Sequence, residues 1–92
     1  MSLQFQTELT QLLKQFPLKR ASLFGSFARG EENASSDIDI LIEPKSGFTL
    51  FDMLRMENIL EEKLKRKIDL VEFSAIKPSI RERILEQTVS LL

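Results

Sequence analysis

The stretch Leu23-Phe24-Gly25-Ser26-Phe27-Ala28-Arg29-Gly30, followed after a polar loop by Ser36-Asp37-Ile38-Asp39-Ile40-Leu41-Ile42, decides the reading of this chain. An apolar run ends in a small-residue turn, and a second apolar run opens with two carboxylates two positions apart. Residues i and i+2 of a strand point to one face, about 6.6 Å apart at roughly 3.3 Å per residue. The carboxylates of Asp37 and Asp39 can therefore converge on one cation, the arrangement that two-metal phosphoryl or nucleotidyl transfer requires. The turn supplies the complementary half. Glycine at 25 lets the backbone approach a phosphate, and a helix starting there offers free N–H donors. The Ser26 hydroxyl can bond a phosphate oxygen, and Arg29, one turn on, can reach a triphosphate with its guanidinium fork.

Working outward, Phe5, Leu9, Leu12, Leu13 and Phe16 follow helical spacing, and Pro17 ends that helix. Ala21 to Phe24 reads as a short buried strand, Ser26 to Arg29 as a short helix and Glu31 to Ser36 as a loop. Ile38, Ile40 and Ile42 alternate with Asp37, Asp39 and Leu41, a strand with one strongly apolar face closed by Pro44 and Gly47. Thr49 with Asp52 three residues on predicts a helix amino terminus. Its apolar stripe is expected at Leu50, Met53, Leu54, Leu60 and Leu64, with Lys63, Lys65, Arg66 and Lys67 suiting its carboxyl end. Leu50, Phe51, Met53, Met56 and Ile59 spread over more than one stripe, which points either to an apolar contact surface or to a helix wrapped by core. Ile68 to Phe73 predicts a third strand, with Ile68 and Leu70 on one face and Asp69, Val71 and Phe73 on the other. Pro78 suits the first turn of a last helix carrying Ile80, Ile84 and Leu85.

The expected fold is thus α/β (α+β) in the order α-β-α-β-α-β-α, with strands near 20–25, 37–43 and 68–73 in a small mixed sheet. Chemistry constrains its topology. Gly25-Ser26 follows strand one, whereas Asp37 and Asp39 open strand two, so sharing one nucleotide requires those strands to be antiparallel. Asp69 opens strand three as Asp37 opens strand two. A third carboxylate at the same site requires a parallel pair with the helix 49–66 as a right-handed crossover. Helices are expected on the Ile38/Ile40/Ile42 face, leaving the carboxylate face partly open. Like charges there repel by about 4 kcal/mol per pair at ~4 Å and an effective dielectric near 20, and a divalent cation turns that repulsion into attraction.

Composition bounds the chemistry further. Ninety-two residues predict a single domain over 1–92. The apolar fraction of 42% and charged fraction of 29% are those of an ordinary globular protein. A net charge of −1 gives no bulk electrostatic case for nucleic acid or membrane as partner. With no Cys and no His, soft metal sites, disulfides and His-dependent bases are excluded. Any metal must be a hard cation on oxygen ligands, and Mg²⁺ fits. The amino terminus lacks a signal-peptide pattern and no apolar run approaches ~18 residues, so a cytoplasmic protein is expected. All seven aromatics are Phe. If a tyrosine is modified, it belongs to another molecule.

The span Leu23 to Ile42 resembles the signature of the DNA-polymerase-β-like nucleotidyltransferase superfamily. It resembles more closely the minimal nucleotidyltransferases, including the MntA-type antitoxins paired with HEPN-domain toxins. Ile68-Asp69-Leu70-Val71 matches their third-carboxylate strand, and Lys77-Pro78 opens the last helix. The resemblance implies that Asp37 and Asp39 hold two Mg²⁺ ions and that Asp69 completes the second metal site and helps orient or deprotonate the acceptor. It implies that Gly25 and Ser26 grip the β- and γ-phosphates, with ATP as donor and AMP transferred to a tyrosine of a HEPN ribonuclease toxin. Larger members carry a second domain for the acceptor, for which this chain has no room, so a partner protein or another subunit is expected to present it. Two alternatives stand beside this: an antitoxin acting mainly by complex formation, and a nucleotidyltransferase acting on RNA or a small molecule.

Overall fold

The computed structural model describes residues 2–92, and the fold begins from caps written into the sequence. The Ser2 hydroxyl accepts from the Phe5 amide at 3.1 Å and opens α1 (Leu3–Leu13). The helix ends ahead of Pro17, and the chain enters β1 (Leu18–Phe24). Gly25 turns it directly into α2 (Gly25–Arg29), which closes on Gly30 in the left-handed region. A polar loop leads to β2 (Ile38–Pro44). Thr49 and Asp52 form a capping box at the start of α3 (Leu50–Leu64), satisfying two amide donors that a helix start otherwise leaves free. Then follow β3 (Ile68–Glu72), a 3₁₀ turn over Phe73–Ala75, α4 (Pro78–Leu85) with Pro78 in its first turn, and β4 (Val89–Ser90).

The sheet order is β3-β2-β1-β4. β1 and β2 are antiparallel, and β2 and β3 are parallel with α3 between them in sequence. Both orientations are those the chemistry demanded. The register pairs Leu23 with Ile40 and Ala21 with Ile42 on one face, and Phe24 with Asp39 and Ser22 with Leu41 on the other. Ile38, Ile40 and Ile42 are fully buried against Leu9 and Leu13 of α1 and Met56 and Leu60 of α3. Burying each such side chain contributes roughly 1.5–3 kcal/mol.

Several boundaries and faces differ from expectation. β1 starts at Leu18, because its first residues pair with Glu43 and Pro44 of β2 despite their polar side chains. Gly25 belongs to α2, and Phe73 begins the 3₁₀ turn after β3. β4 has no counterpart among the expected strands: two residues give no periodicity to read, and pairing with Ser22 and Leu23 creates the strand. In α3 the core stripe is Met56 and Leu60, flanked by Met53, Ile59 and Leu64. Leu50 and Leu54 are 73% and 50% exposed; Leu54 lies one residue, about 100° of helix rotation, from Met53 and turns off the stripe. The carboxylate face is also less open than expected. Phe73, Ile76 and the partly buried Ile84 pack on Leu41 there, with Phe24 and Val71, making a second small core.

Candidate active site

Each functional residue is placed by the sheet or by the turn that leaves it. β1 delivers Phe24 opposite Asp39, and the chain then bends at Gly25, whose φ of +72° favours glycine. Glycine is required here for a second reason. A Cβ at this position would overlap the Asp39 carboxylate, meeting its Oδ2 and lying 3.2 Å from its Cγ. The turn at Gly25 is therefore packed directly on the second aspartate of the motif. Ser26 follows within α2, and Arg29 ends it.

The parallel ladder sets Asp39 directly across from Asp69. Pairing begins one step earlier, where the Ile38 amide donates to the Lys67 carbonyl at 2.9 Å, so Asp37 lies immediately outside the sheet. Burial pushes the Asp39 carboxyl above its ordinary value, and the charges of Asp69 and then Asp37 push it further, with Arg29 opposing them. Asp39 thus lies within electrostatic reach of Asp69, Asp37 and Arg29. Among the described residues, no three acidic side chains are drawn together into a closed metal-binding group.

Arg29 is partly committed: its Nε donates to Glu31 Oε2 at 3.0 Å, with both side chains well exposed. It nevertheless lines a crevice of about 280 Å³ with Phe24, Gly25, Ile84 and Gln87. Ile84 and Gln87 had no signal in the sequence, because their place at the site depends on α4 crossing the carboxylate face. Arg66 was legible only as a charge suited to a helix end; the structure sends it to the loop that precedes Asp37.

The donor set fits a hard divalent cation. It is all carboxylate oxygen, and a cation would stabilise the Asp39 carboxylate against the burial, and then the Asp69 and Asp37 charges, that raise it. An oxygen-ligated cation beside a glycine turn and an arginine is an arrangement for handling phosphate esters. Comparison with known proteins gives the class directly: residues 7–92 match the family model described as polymerase beta, nucleotidyltransferase. The chain belongs to this nucleotidyltransferase family.

A relative from Methanocaldococcus jannaschii, named provisionally as a protein adenylyltransferase, is 38% identical over 89 residues, covering 97% of this chain and 96% of its own. The protein adenylyltransferase MntA of Thermococcus cleftensis is 33% identical over 79 residues, covering 86% of this chain and 80% of its own. A solved structure described provisionally as a minimal nucleotidyltransferase superposes with a TM-score of 0.81 at 31% identity, covering 94% of this chain and 88% of that one. A chain of the tri-AMPylated Shewanella oneidensis HEPN toxin in complex with MNT antitoxin superposes with a TM-score of 0.73 at 20% identity, covering 100% of this chain and 72% of that one. That likeness is one of fold. No helix among the described residues is long and apolar enough to cross a membrane.

Proposed function

We propose that this chain is an Mg²⁺-dependent protein adenylyltransferase that moves AMP from ATP to a tyrosine hydroxyl of a HEPN-type toxin, and so acts as the toxin's antitoxin. The observation that carries this reading is the packing of Gly25 on the Asp39 carboxylate, with Asp69 directly across the ladder. One compact locus then joins a phosphate turn to the carboxylates. Asp37, Asp39 and Asp69 would hold Mg²⁺, two ions in all. When bound, Mg²⁺ supplies neutralisation of phosphate charge and stabilisation of the attacking and leaving oxygens.

The residues themselves divide the remaining work. Gly25 and Ser26 hold the β- and γ-phosphates through backbone N–H groups and the serine hydroxyl, and Arg29 adds a positive charge at the crevice. Asp69, exposed at the start of β3, would orient the incoming hydroxyl and accept its proton. The acceptor oxygen forms its bond to the α-phosphorus as the bond to pyrophosphate breaks. The chain has no tyrosine of its own, so the acceptor is supplied in trans.

The test is intact-mass analysis of the cognate toxin after incubation with the chain, ATP and Mg²⁺. The expected result is a gain of whole AMP units, abolished in an Asp37→Asn, Asp39→Asn variant. An unchanged toxin mass overturns the reading. A second reading, neutralisation by complex formation, is favoured by the exposed Leu50, Phe51 and Leu54 on α3, which suit a protein contact. It requires that the same double variant still rescue cells from the toxin.

A further inference from the structure

The segment between α2 and β2 joins the two halves of the candidate site, and almost nothing apolar holds it. It is organised by Asn33, whose Oδ1 accepts from the Ser35 amide at 2.9 Å and whose amide donates to Ser36 Oγ at 2.9 Å. A small polar turn of this kind, exposed to water, has little intrinsic stability. Its anchor comes from a distant point in the sequence. Arg66 Nη1 donates to the Asn33 carbonyl at 2.9 Å and the Ser36 carbonyl at 3.0 Å, with the Ala34 carbonyl at 3.3 Å. The same guanidinium lies over the Phe27 ring, 5.0 Å from its centroid. Phe27, the residue after Ser26, is also stacked with Phe5, ring centroids 5.4 Å apart.

The backbone is bent to deliver this side chain. α3 is capped by Lys65 with φ of 57°, the one positive-φ non-glycine residue among those described, a conformation unfavourable for an L-residue. The turn is held from behind by Glu61, whose Oε2 accepts from the Ile68 amide at 3.0 Å. Arg66 is half-buried and is not a member of any described ion pair. Its hydrogen bonds go to backbone carbonyls, and such bonds from a charged donor are stronger than neutral ones.

We propose that Arg66 is the positioning residue that fixes Asp37 relative to the Gly25-Ser26 turn: it grips the carbonyl of the peptide entering Asp37 and clamps the ring that follows Ser26. The inference rests on the proposed metal role of Asp37. Lysine cannot replace arginine here, because a single ammonium on a flexible stem cannot cover the ring and span two carbonyls together. Groups that hold a metal ligand from behind typically affect metal affinity or activity by about 10–100-fold.

The test uses the full chain and its Arg66→Lys and Arg66→Gln variants, with Mn²⁺ alone as the metal probe. Three readouts are taken: calorimetric Mn²⁺ affinity, amide hydrogen exchange over residues 33–38, and melting temperature. The expected result is at least one variant melting within about 5 °C of the parent, with Mn²⁺ affinity about tenfold weaker and faster exchange confined to that loop. A folded variant with parental Mn²⁺ affinity, a loss of affinity matched by global unfolding in both variants, or no Mn²⁺ binding by the parent overturns the inference. Its failure is separable from that of the proposed activity. A parent that binds Mn²⁺ in an Arg66-dependent way but leaves the toxin unmodified keeps the positioning role and loses the activity. Variants that modify toxin at the parental rate with parental Mn²⁺ affinity do the reverse.

Discussion

Replacing Gly25 with alanine separates backbone strain from contact with Asp39, because a second glycine provides the control. Gly25 and Gly30 have nearly the same backbone twist, with φ of +72° and +70°. An L-residue held in that region costs roughly 1–2 kcal/mol, so both substitutions incur that strain. Around Gly30 nothing lies within 4 Å of an added Cβ, and Gly30→Ala should cost the strain alone. At Gly25 the added methyl overlaps the Asp39 carboxylate, with Cγ at 3.2 Å and Cβ at 3.4 Å. Asp39 must then leave its rotamer well, adding about 0.5–1.5 kcal/mol. Gly25→Ala is therefore expected to be about 1 kcal/mol worse than Gly30→Ala, some 4–8 °C lower in melting temperature for a domain of this size. In an Asp39→Ala background that extra cost should vanish. Transfer activity should fall about a hundredfold in Gly25→Ala, the scale expected when a reacting geometry shifts by ~1 Å. Urea denaturation of the four variants and a toxin-labelling assay supply the numbers. Equal costs at the two glycines, or full activity in Gly25→Ala, would refute the argument.

Two further outcomes follow from the same geometry. Because the Asp39 carboxyl is raised in the folded state, its stability contribution is full below its unfolded value and is lost as pH rises through the folded one. Asp39→Asn should thus melt higher than the parent at pH 7 in EDTA, with the gain disappearing below about pH 4; a pH-independent difference contradicts this. Leu60→Ala, at a fully buried position, should cost about 2–5 kcal/mol. Phe51→Ala, at a position 83% exposed, should stay within about 0.5 kcal/mol; urea midpoints that place both in one range would show the assigned stripe of α3 to be wrong.

Much of the fold was legible because the relevant signals are local. The alternation of Ile38, Ile40 and Ile42 sets which way Asp37 and Asp39 point, since a strand has a period of two. Thr49 with Asp52, and Pro78, mark helix starts through hydrogen bonds spanning three residues or a fixed φ. The α3 stripe is right at Met53, Leu60 and Leu64 and wrong at Leu50 and Leu54, which fit a helix face in sequence as well as the buried Met56 does. Only docking on the sheet selects among faces. β4 and the approach of Ile84 and Gln87 to the crevice depend on pairings between distant segments, which leave no local pattern.

By itself the sequence determined the candidate side chains, the lack of any Cys or His ligand, and the two strand orientations, antiparallel for β1 and β2 and parallel for β2 and β3, that set Asp39 across from Asp69. Those follow from side-chain chemistry and strand geometry. The tertiary structure alone decided how closely the parts meet. It put the Asp39 carboxylate in the space a Gly25 side chain would occupy, and it carried the Arg66 guanidinium to the carbonyl just before Asp37. Contacts between residues 14 and 30 positions apart are set by how the helices and strands pack, and no spacing along the chain encodes that distance.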